Sequence, residues 1–162
     1  MADCQSRFIE LFGDPVRNSM GLKTIPLGKA CCLKAGITTS ADMIHEQSNE
    51  FSVPCYGGNG IRGYVESATQ CGCYPIIGRQ GALCGNVQLA TGKFHATEHA
   101  VLVTPLIETN VVWLFYLLHL HARTLGTTIN ETVQTAGVES ILAIIYTVAN
   151  GKDRVYFGPA AR

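Results

Sequence analysis

The chain has 162 residues, of which 47% are hydrophobic and 15% charged, and its 12 Lys and Arg balance its 12 Asp and Glu. This composition is typical of one globular domain with a single core and argues against disorder. The longest apolar run, residues 111–118, is well short of the roughly 20 residues that a membrane-spanning helix needs. The first residues lack the apolar core of a signal peptide. We therefore expect a cytoplasmic domain that does not enter a membrane.

The chain contains seven cysteines, an odd number that does not suit a disulfide framework. We expect free thiols. The pairs at residues 31–32 and 71–73 also lack the C-x2-C spacing of zinc ribbons, because ligands so close in sequence do not easily close a tetrahedral chelate.

The predicted elements begin with a helix over residues 3–12, where apolar side chains share one helical face and the sequence Gly13-Asp14-Pro15 marks a stop. This helix resembles the tail of a longer one. We therefore divide the chain into residues 1–13, the end of a spacer helix, and residues 14–162, a single domain. The first 34 residues are net positive, and acids at positions 42, 46 and 50 then reverse the sign.

Short β-branched and aromatic runs punctuated by Gly and Pro predict strands at residues 53–56, 63–65, 74–77 and 100–104. A helix is predicted from Asn110, a suitable N-cap, to Arg123. Because this helix is apolar around nearly its whole circumference, we expect it to be sandwiched between other elements. Residues 136–149 fit either a helix or a strand. The predicted fold is α+β, a twisted and mostly antiparallel sheet with packed helices and glycine-rich loops at one edge.

Residues 58–63 match the G-x-G-x-x-G pattern of phosphate-binding turns. That function needs a helix directly after the glycines, whereas residues 64–66 continue as a predicted strand. Two other interpretations remain open. The glycines could form tight turns that need positive φ, or they could let the backbone approach a large flat ligand toward which Asn59 and Arg62 project.

His95, Glu98 and His99 match the H-x-x-E-H pattern of zinc peptidases, in which a helix brings two imidazoles together. The flanking residues predict strand instead. In a strand the two histidines would share a face about 13 Å apart, too far for one metal ion. His119 and His121 are two residues apart on the predicted second helix, so we expect them to fill the core or a groove.

Residues 74–87 form a third cluster, in which a predicted strand delivers Arg79 and Gln80 onto a glycine-flanked loop, with Asn86 just beyond. Arginine can pair bidentately with guanine, and Gln or Asn can pair with adenine. A solvated hairpin is the alternative, and composition alone does not choose between the two.

Four segments together, residues 56–64, 77–87, 92–94 and 96–100, resemble in order and spacing a target recognition domain of the specificity subunit of type I restriction-modification systems. Residues 7–15 resemble the junction at which that family's spacer helix leads into the second recognition domain. The resemblance covers about residues 6–125. It implies either the second, C-terminal recognition domain or a half-subunit, because a complete specificity subunit carries two such domains.

The resemblance implies a DNA reader without catalytic residues, cofactor or metal, which directs methylation and cleavage by partner subunits. The implied partners are double-stranded DNA, the modification subunits and, through them, the restriction subunit, and two copies could pair as a homodimer. We expect base reading by Arg79 and Gln80, and phosphate contacts by Lys93 and the N-terminal bases. Nearby candidates for DNA contacts are Asn59, Arg62 and Asn86. Two alternatives remain, a zinc-dependent hydrolase using His95, Glu98 and His99, and a non-catalytic ligand-binding α+β module.

Overall fold

A computed structural model describes residues 2–15, 17–21, 23–26, 30–79, 85–124 and 145–148. The elements within these residues are, in chain order, α1 (Ala2–Phe12), β1 (Lys23–Pro26), β2 (Cys31–Ala35), a short 3-10 helix (Ala41–Met43), β3 (Val53–Gly57), β4 (Gly60–Val65), β5 (Gln70–Gly78), β6 (Val87–Ala96), β7 (Ala100–Pro105), α2 (Val111–Thr124) and β8 (Ile145–Val148). None of the helices in these described ranges is long and apolar enough to cross a membrane.

The main sheet has six strands in the order β2-β7-β5-β6-β3-β4. Every neighbouring pair is antiparallel except β3 and β6, which run parallel through Cys55 opposite His95 and Tyr56 opposite Ala96. A separate two-stranded antiparallel sheet joins β1 and β8. The predicted α+β fold with a mostly antiparallel sheet is confirmed.

In the long hairpin of β5 and β6, Gly72 and Gly92 face each other at mid-length, with φ of +141° and +78°, a conformation that favours glycine. The end of β6 meets the residues that follow β2. There the N–H of Ile37 donates to the carbonyl of Ala96 at 2.9 Å, and the N–H of Gly36 donates to the carbonyl of Ala100 at 3.0 Å. The sheet therefore curls on itself, and backbone hydrogen bonds join the residues after β2 to the end of β6 and the start of β7.

Strand β7 is buried on both of its faces, as the alternation of its side chains between two core clusters shows. Val101 and Val103 belong to a core cluster that includes α1 and α2, whereas Ala100 and Leu102 belong to a second cluster with Phe94 on the other face. A strand buried on both faces is expected to be apolar throughout. This explains the uninterrupted apolar run in β7.

Helix α2 packs between the sheet and α1, which confirms the predicted sandwiched position. The α1 residue Phe8 is only 1% exposed. Its ring lies 6.1 Å from the rings of both Trp113 and Tyr116, measured between centroids. Asn110 caps α2 as predicted, because its side-chain oxygen accepts a hydrogen bond from the N–H of Trp113 at 3.0 Å.

The predicted helix at residues 3–12 and the four predicted strands are present, and most of the strands are longer than predicted. Strands β1 and β2 and the full length of β6 were not anticipated. Of residues 136–149, only 145–148 are described, as strand. The other residues of that segment and all of residues 149–162 lie outside the described residues.

Substitution of Gly36 by alanine is predicted to destabilise the fold. An added Cβ would lie 2.1 Å from the carbonyl oxygen of Ala96 and 2.6 Å from that of Thr97, and these backbone atoms cannot move aside as a flexible side chain could. Overpacking of this kind costs about 1–3 kcal/mol. Urea unfolding of Gly36→Ala should show the loss, and the exposed Ser67→Ala should stay within about 0.5 kcal/mol of wild type. Equal stability of the two variants would contradict the close approach.

Candidate nucleic-acid interface

Strands β3 and β4 form a tight hairpin whose turn consists of Gly58 and Asn59. Gly57 pairs with Gly60, and Gly60 has a φ of +100°, a conformation that side chains other than glycine rarely adopt. Of the interpretations of residues 58–63, the tight turn is therefore the one that the backbone shows. The turn leaves Asn59 exposed at the hairpin tip.

The tip of this hairpin touches the start of β6. The Nδ2 of Asn86 donates a hydrogen bond to the Oδ1 of Asn59 at 3.0 Å. A Cβ placed on Gly60 would lie 3.7 Å from the side chain of Gln88, so the tip rests against β6 at two points. Two hairpins distant in sequence thus present their amide side chains together.

Arg79 follows directly after β5, as predicted, and its N–H donates to the carbonyl of His99 at 2.9 Å. The loop that Arg79 enters is closed at its base, because the N–H of Gly78 donates to Asn86 and the N–H of Gly85 donates back to Gly78. Gln80 lies outside the described residues, as does the rest of the loop through residue 84. Arg79 and Asn86 therefore flank the two ends of one loop.

Arg62 is exposed on β4, within the β3–β4 hairpin. A Cβ on Gly57 would lie 3.0 Å from the Cδ of Arg62, so the arginine stem runs along the hairpin backbone. Arg62 also lines a shallow depression with residues 44–47. We call Asn59, Arg62, Arg79 and Asn86 the polar cluster.

Glu98 is an anion beside the polar cluster. Its own backbone N–H holds the pKa of its carboxyl below the ordinary value, and the N–H of Thr39 and the charges of His99 and Arg62 act in the same direction. Partial burial opposes this shift. Oε2 of Glu98 accepts from Thr39 at 3.2 Å, and Oε1 lies 3.1 Å from the Nε2 of His99. Glu98 therefore links β4, the residues after β2 and the turn before β7.

The prediction that the H-x-x-E-H residues lie on one strand is wrong. Only His95 lies in β6, and the chain then turns, with the N–H of Ala100 donating to the carbonyl of Thr97 at 3.0 Å. Glu98 and His99 occupy this turn, so the 13 Å spacing expected of a strand does not apply to His95 and His99. The turn was missed because the residues on both sides of it are strand, and the turn itself contains neither Gly nor Pro.

His95 is buried and hydrogen-bonded to Thr39. The single hydroxyl proton of Thr39 is donated to the carbonyl of Ile37 at 2.8 Å, so Thr39 Oγ1 accepts from the Nε2–H of His95, also at 2.8 Å. The Nε2 atom is thus already committed within the fold. Nothing in the local sequence indicated this contact, because its partners are 56 residues apart.

The described part of the chain contains no group of three or more His, Cys, Asp or Glu side chains placed to share a metal ion. The cysteines described there are free, in keeping with the predicted thiols. Burial is the main cause that raises the pKa of Cys31 to about 11, so this thiol stays protonated.

The other predicted site residue, Lys93, is not part of the polar cluster. It lies opposite Cys71 in the β5–β6 ladder and lines a separate shallow depression with Val53 and Glu66. Among the N-terminal bases, Arg7 and Arg17 form exposed ion pairs with acids three residues away. A phosphate contact by any of these bases stays a prediction.

No protein-family model matches the chain. The chain is 50% identical over 93 residues to the type I restriction enzyme EcoprrI specificity subunit of Escherichia coli. Over these 93 residues it is a homologue of that specificity subunit. The match covers 57% of this chain and 23% of the relative, and it confirms the relationship that the four sequence segments indicated.

Solved specificity-subunit structures share the fold of this homologue. The type I S subunit from M. genitalium superposes with a TM-score of 0.63 at 17% identity, covering 88% of this chain and 41% of that one. The HsdS subunit from Thermoanaerobacter tengcongensis gives 0.57 at 13% identity, covering 89% and 39%. A chain from a structural study of type I R-M complex assembly gives 0.55 at 14% identity, covering 90% and 40%. This homologue thus spans less than half of each.

The environment of His95 predicts a pH dependence of stability. Burial lowers the pKa of His95 below 6.5. Burial is also the main cause that lowers the pKa of His121, and the charge of Asp14 partly opposes that shift. As the pH falls below 6.5, the unfolded chain then binds more protons than the folded protein, and the free energy of unfolding decreases toward the lowered pKa values.

His95→Gln keeps a side-chain N–H for Thr39 and does not titrate. Its midpoint of urea unfolding should depend less on pH than that of wild type between about pH 7.5 and pH 5.5. His95→Gln combined with His121→Gln should flatten the profile further. An unchanged slope in both variants would contradict the assigned environments. The Glu98 carboxyl affects stability only below its ordinary pKa of 4.5, outside this window.

Proposed function

We propose that this chain is a DNA recognition domain of a type I restriction-modification system, without catalytic activity of its own. The observation that carries the proposal is the polar cluster, in which two hairpins bring the amides of Asn59 and Asn86 within hydrogen-bond distance. Arg62 lies on the same hairpin as Asn59, and Arg79 lies at the other end of the loop that ends at Asn86. The sequence identity to the EcoprrI specificity subunit supports it.

The side chains of the polar cluster have the chemistry of base reading. Arginine presents a fork of donors to the O6 and N7 of guanine, and an amide presents a donor and an acceptor to adenine. Hairpin tips and loops that project from a sheet can enter a major groove, whereas a flat sheet face cannot. Gln80, in the loop after Arg79, is proposed to read bases with it.

Binding by the chain alone should be weak, because its formal net charge is zero. Most non-specific affinity for DNA comes from Lys and Arg that displace counterions from phosphates. We propose that the modification subunits supply further phosphate contacts, and that the restriction subunit joins through them. Two copies of the chain could pair to read both halves of a split target. Such a complex would work in the cytoplasm, where it meets DNA.

The hydrolase alternative fits the geometry less well. A zinc peptidase needs two imidazoles that bind one zinc ion and a carboxylate directed at the water on that ion. In this chain the Nε2 of His95 donates to Thr39, and the Nε2 of His99 lies against Glu98. These side chains hold parts of the fold together. We therefore propose that methyl transfer and cleavage are performed by partner subunits.

Selection of bound duplexes from a random library tests the proposal. The chain is offered the library alone and together with the modification subunit of its own system. We expect enrichment of one defined half-site, stronger in the combined sample, with transfer of a labelled methyl group only when the modification subunit is present. Enrichment of no sequence in either sample would refute the proposed function. Methyl transfer by the chain alone would refute the absence of catalysis.

Arg79→Ala and Lys93→Ala should affect binding differently. Loss of a bidentate base contact costs about 1–3 kcal/mol and relaxes preference at one position, whereas loss of a phosphate contact weakens binding to all sequences alike. Affinities for the selected duplex and for each single mismatch measure both effects. We expect Arg79→Ala to change the preference and Lys93→Ala to lower every affinity by a similar factor. An unchanged preference in Arg79→Ala would remove the base-reading role.

A further inference from the structure

The contact between Asn59 and Asn86 joins the two hairpins of the polar cluster through their amide groups. Asn59 lies at the exposed tip of the β3–β4 turn, and Asn86 immediately precedes β6. The donor is the Nδ2 of Asn86 and the acceptor is the Oδ1 of Asn59, at 3.0 Å. Because Asn59 lies in a two-residue turn and Asn86 lies at the hydrogen-bonded base of a loop, this bond fixes one side chain relative to the other.

The backbone on each side of this bond is also held. The carbonyl of Asn86 accepts from the N–H of Gly78 at 2.9 Å, so its main chain cannot drift. On the other side, Gly57 pairs with Gly60, and Gly60 rests against Gln88. An amide held at both its backbone and its Nδ2 atom is preorganised for a contact through its remaining edge.

That remaining edge has the pattern that complements adenine. After donating one N–H to Asn59, the Asn86 amide retains its second N–H and its carbonyl oxygen. Among the described residues, no other hydrogen bond engages either group. In the major groove adenine offers N7 as an acceptor and the N6 amino group as a donor. Guanine offers two acceptors there, which would leave the amide oxygen facing O6.

We propose that Asn86 reads an adenine of the half-site and that Asn59 is its positioning residue. Asn59 acts by accepting the hydrogen bond that orients the Asn86 amide, and it need not touch DNA. This inference rests on the proposed function. It adds that the Asn59–Asn86 pair is specific for adenine, with Asn86 as the reader and Asn59 as the residue that orients it.

The test uses 7-deazaadenine, which keeps Watson–Crick pairing and the N6 amino group and lacks N7. Each adenine of the selected duplex is replaced in turn, and affinities are measured under the conditions that gave selection. With the wild-type chain, replacement at one position should weaken binding about 3- to 10-fold, the effect of losing one hydrogen bond. Asn86→Ala should bind both duplexes within about twofold of each other, because it no longer contacts N7.

Asn59 variants separate positioning from general support of the fold. Asn59→Ala removes the acceptor for Asn86 and should lose the discrimination, whereas Asn59→Asp keeps an oxygen there and should retain it. Neither substitution strains the backbone, since Asn18 is the sole non-glycine residue with positive φ in the described ranges. Asn49→Ala, a change at another exposed asparagine, is the matched control and should behave as wild type.

Thermal unfolding of each variant shows whether it is folded. If Asn86→Ala is not folded, Asn86→Asp replaces it, because aspartate has the same size as asparagine and no side-chain N–H to donate to N7. Sensitivity to 7-deazaadenine that persists at every sensitive position without Asn86, or is absent at every position with the wild-type chain, overturns the inference. Discrimination that survives in Asn59→Ala overturns the positioning role. In those cases a selected half-site leaves the proposed function standing, whereas failure to select any sequence refutes both.

Discussion

The backbone contact between Gly36 and Ala96 is the constraint on which the rest of the described fold depends. It joins the residues after β2 to the end of β6, and it requires that position 36 carry no side chain, because the Ala96 carbonyl occupies the place of a Cβ. Just beyond it, the N–H of Thr97 donates to the carbonyl of Tyr56 and holds the β3–β4 hairpin against the same corner. The curl of the sheet and the position of the hairpin tip therefore have one common origin.

Polar side chains around this corner add further hydrogen bonds between the same segments of the chain. The hydroxyl oxygen of Thr39 accepts a hydrogen bond from the imidazole N–H of His95, and the backbone N–H of Thr39 donates one to the carboxylate of Glu98. A carboxylate near DNA phosphates would repel them, but here the Glu98 charge is directed at the Thr39 N–H, His99 and Arg62. Glu98 is therefore engaged within the fold through Thr39 and His99 and is not an isolated negative charge.

The division of the polar cluster over two hairpins has a consequence for specificity. An isolated two-stranded hairpin has only marginal stability in water. Seating the Asn59 tip on β6 and closing the Arg79 loop through Gly78 and Gly85 gives both a rigid base. Side chains held in this way lose less conformational entropy on binding, which favours discrimination between similar bases.

The sequence by itself determined the two α-helices, four of the eight described strands and the candidate residues. Residues 3–12, the cap at Asn110 and the apolar run of β7 depend on periodicity and capping among consecutive residues, which a linear sequence displays directly. It also indicated the relationship to specificity subunits, through four segments whose order and spacing matter more than any one of them.

Only the tertiary structure decided which of these residues meet. The Asn59–Asn86 bond joins positions 27 residues apart, and the Thr39–His95 bond joins positions 56 apart, through the parallel pairing of β3 with β6 and the return to Gly36. The H-x-x-E-H segment illustrates the limit, since strand residues on both sides concealed a turn. Local patterns specify the conformation of a segment, whereas strand order and closure follow from burial of the whole chain, a long-range property that no local pattern contains.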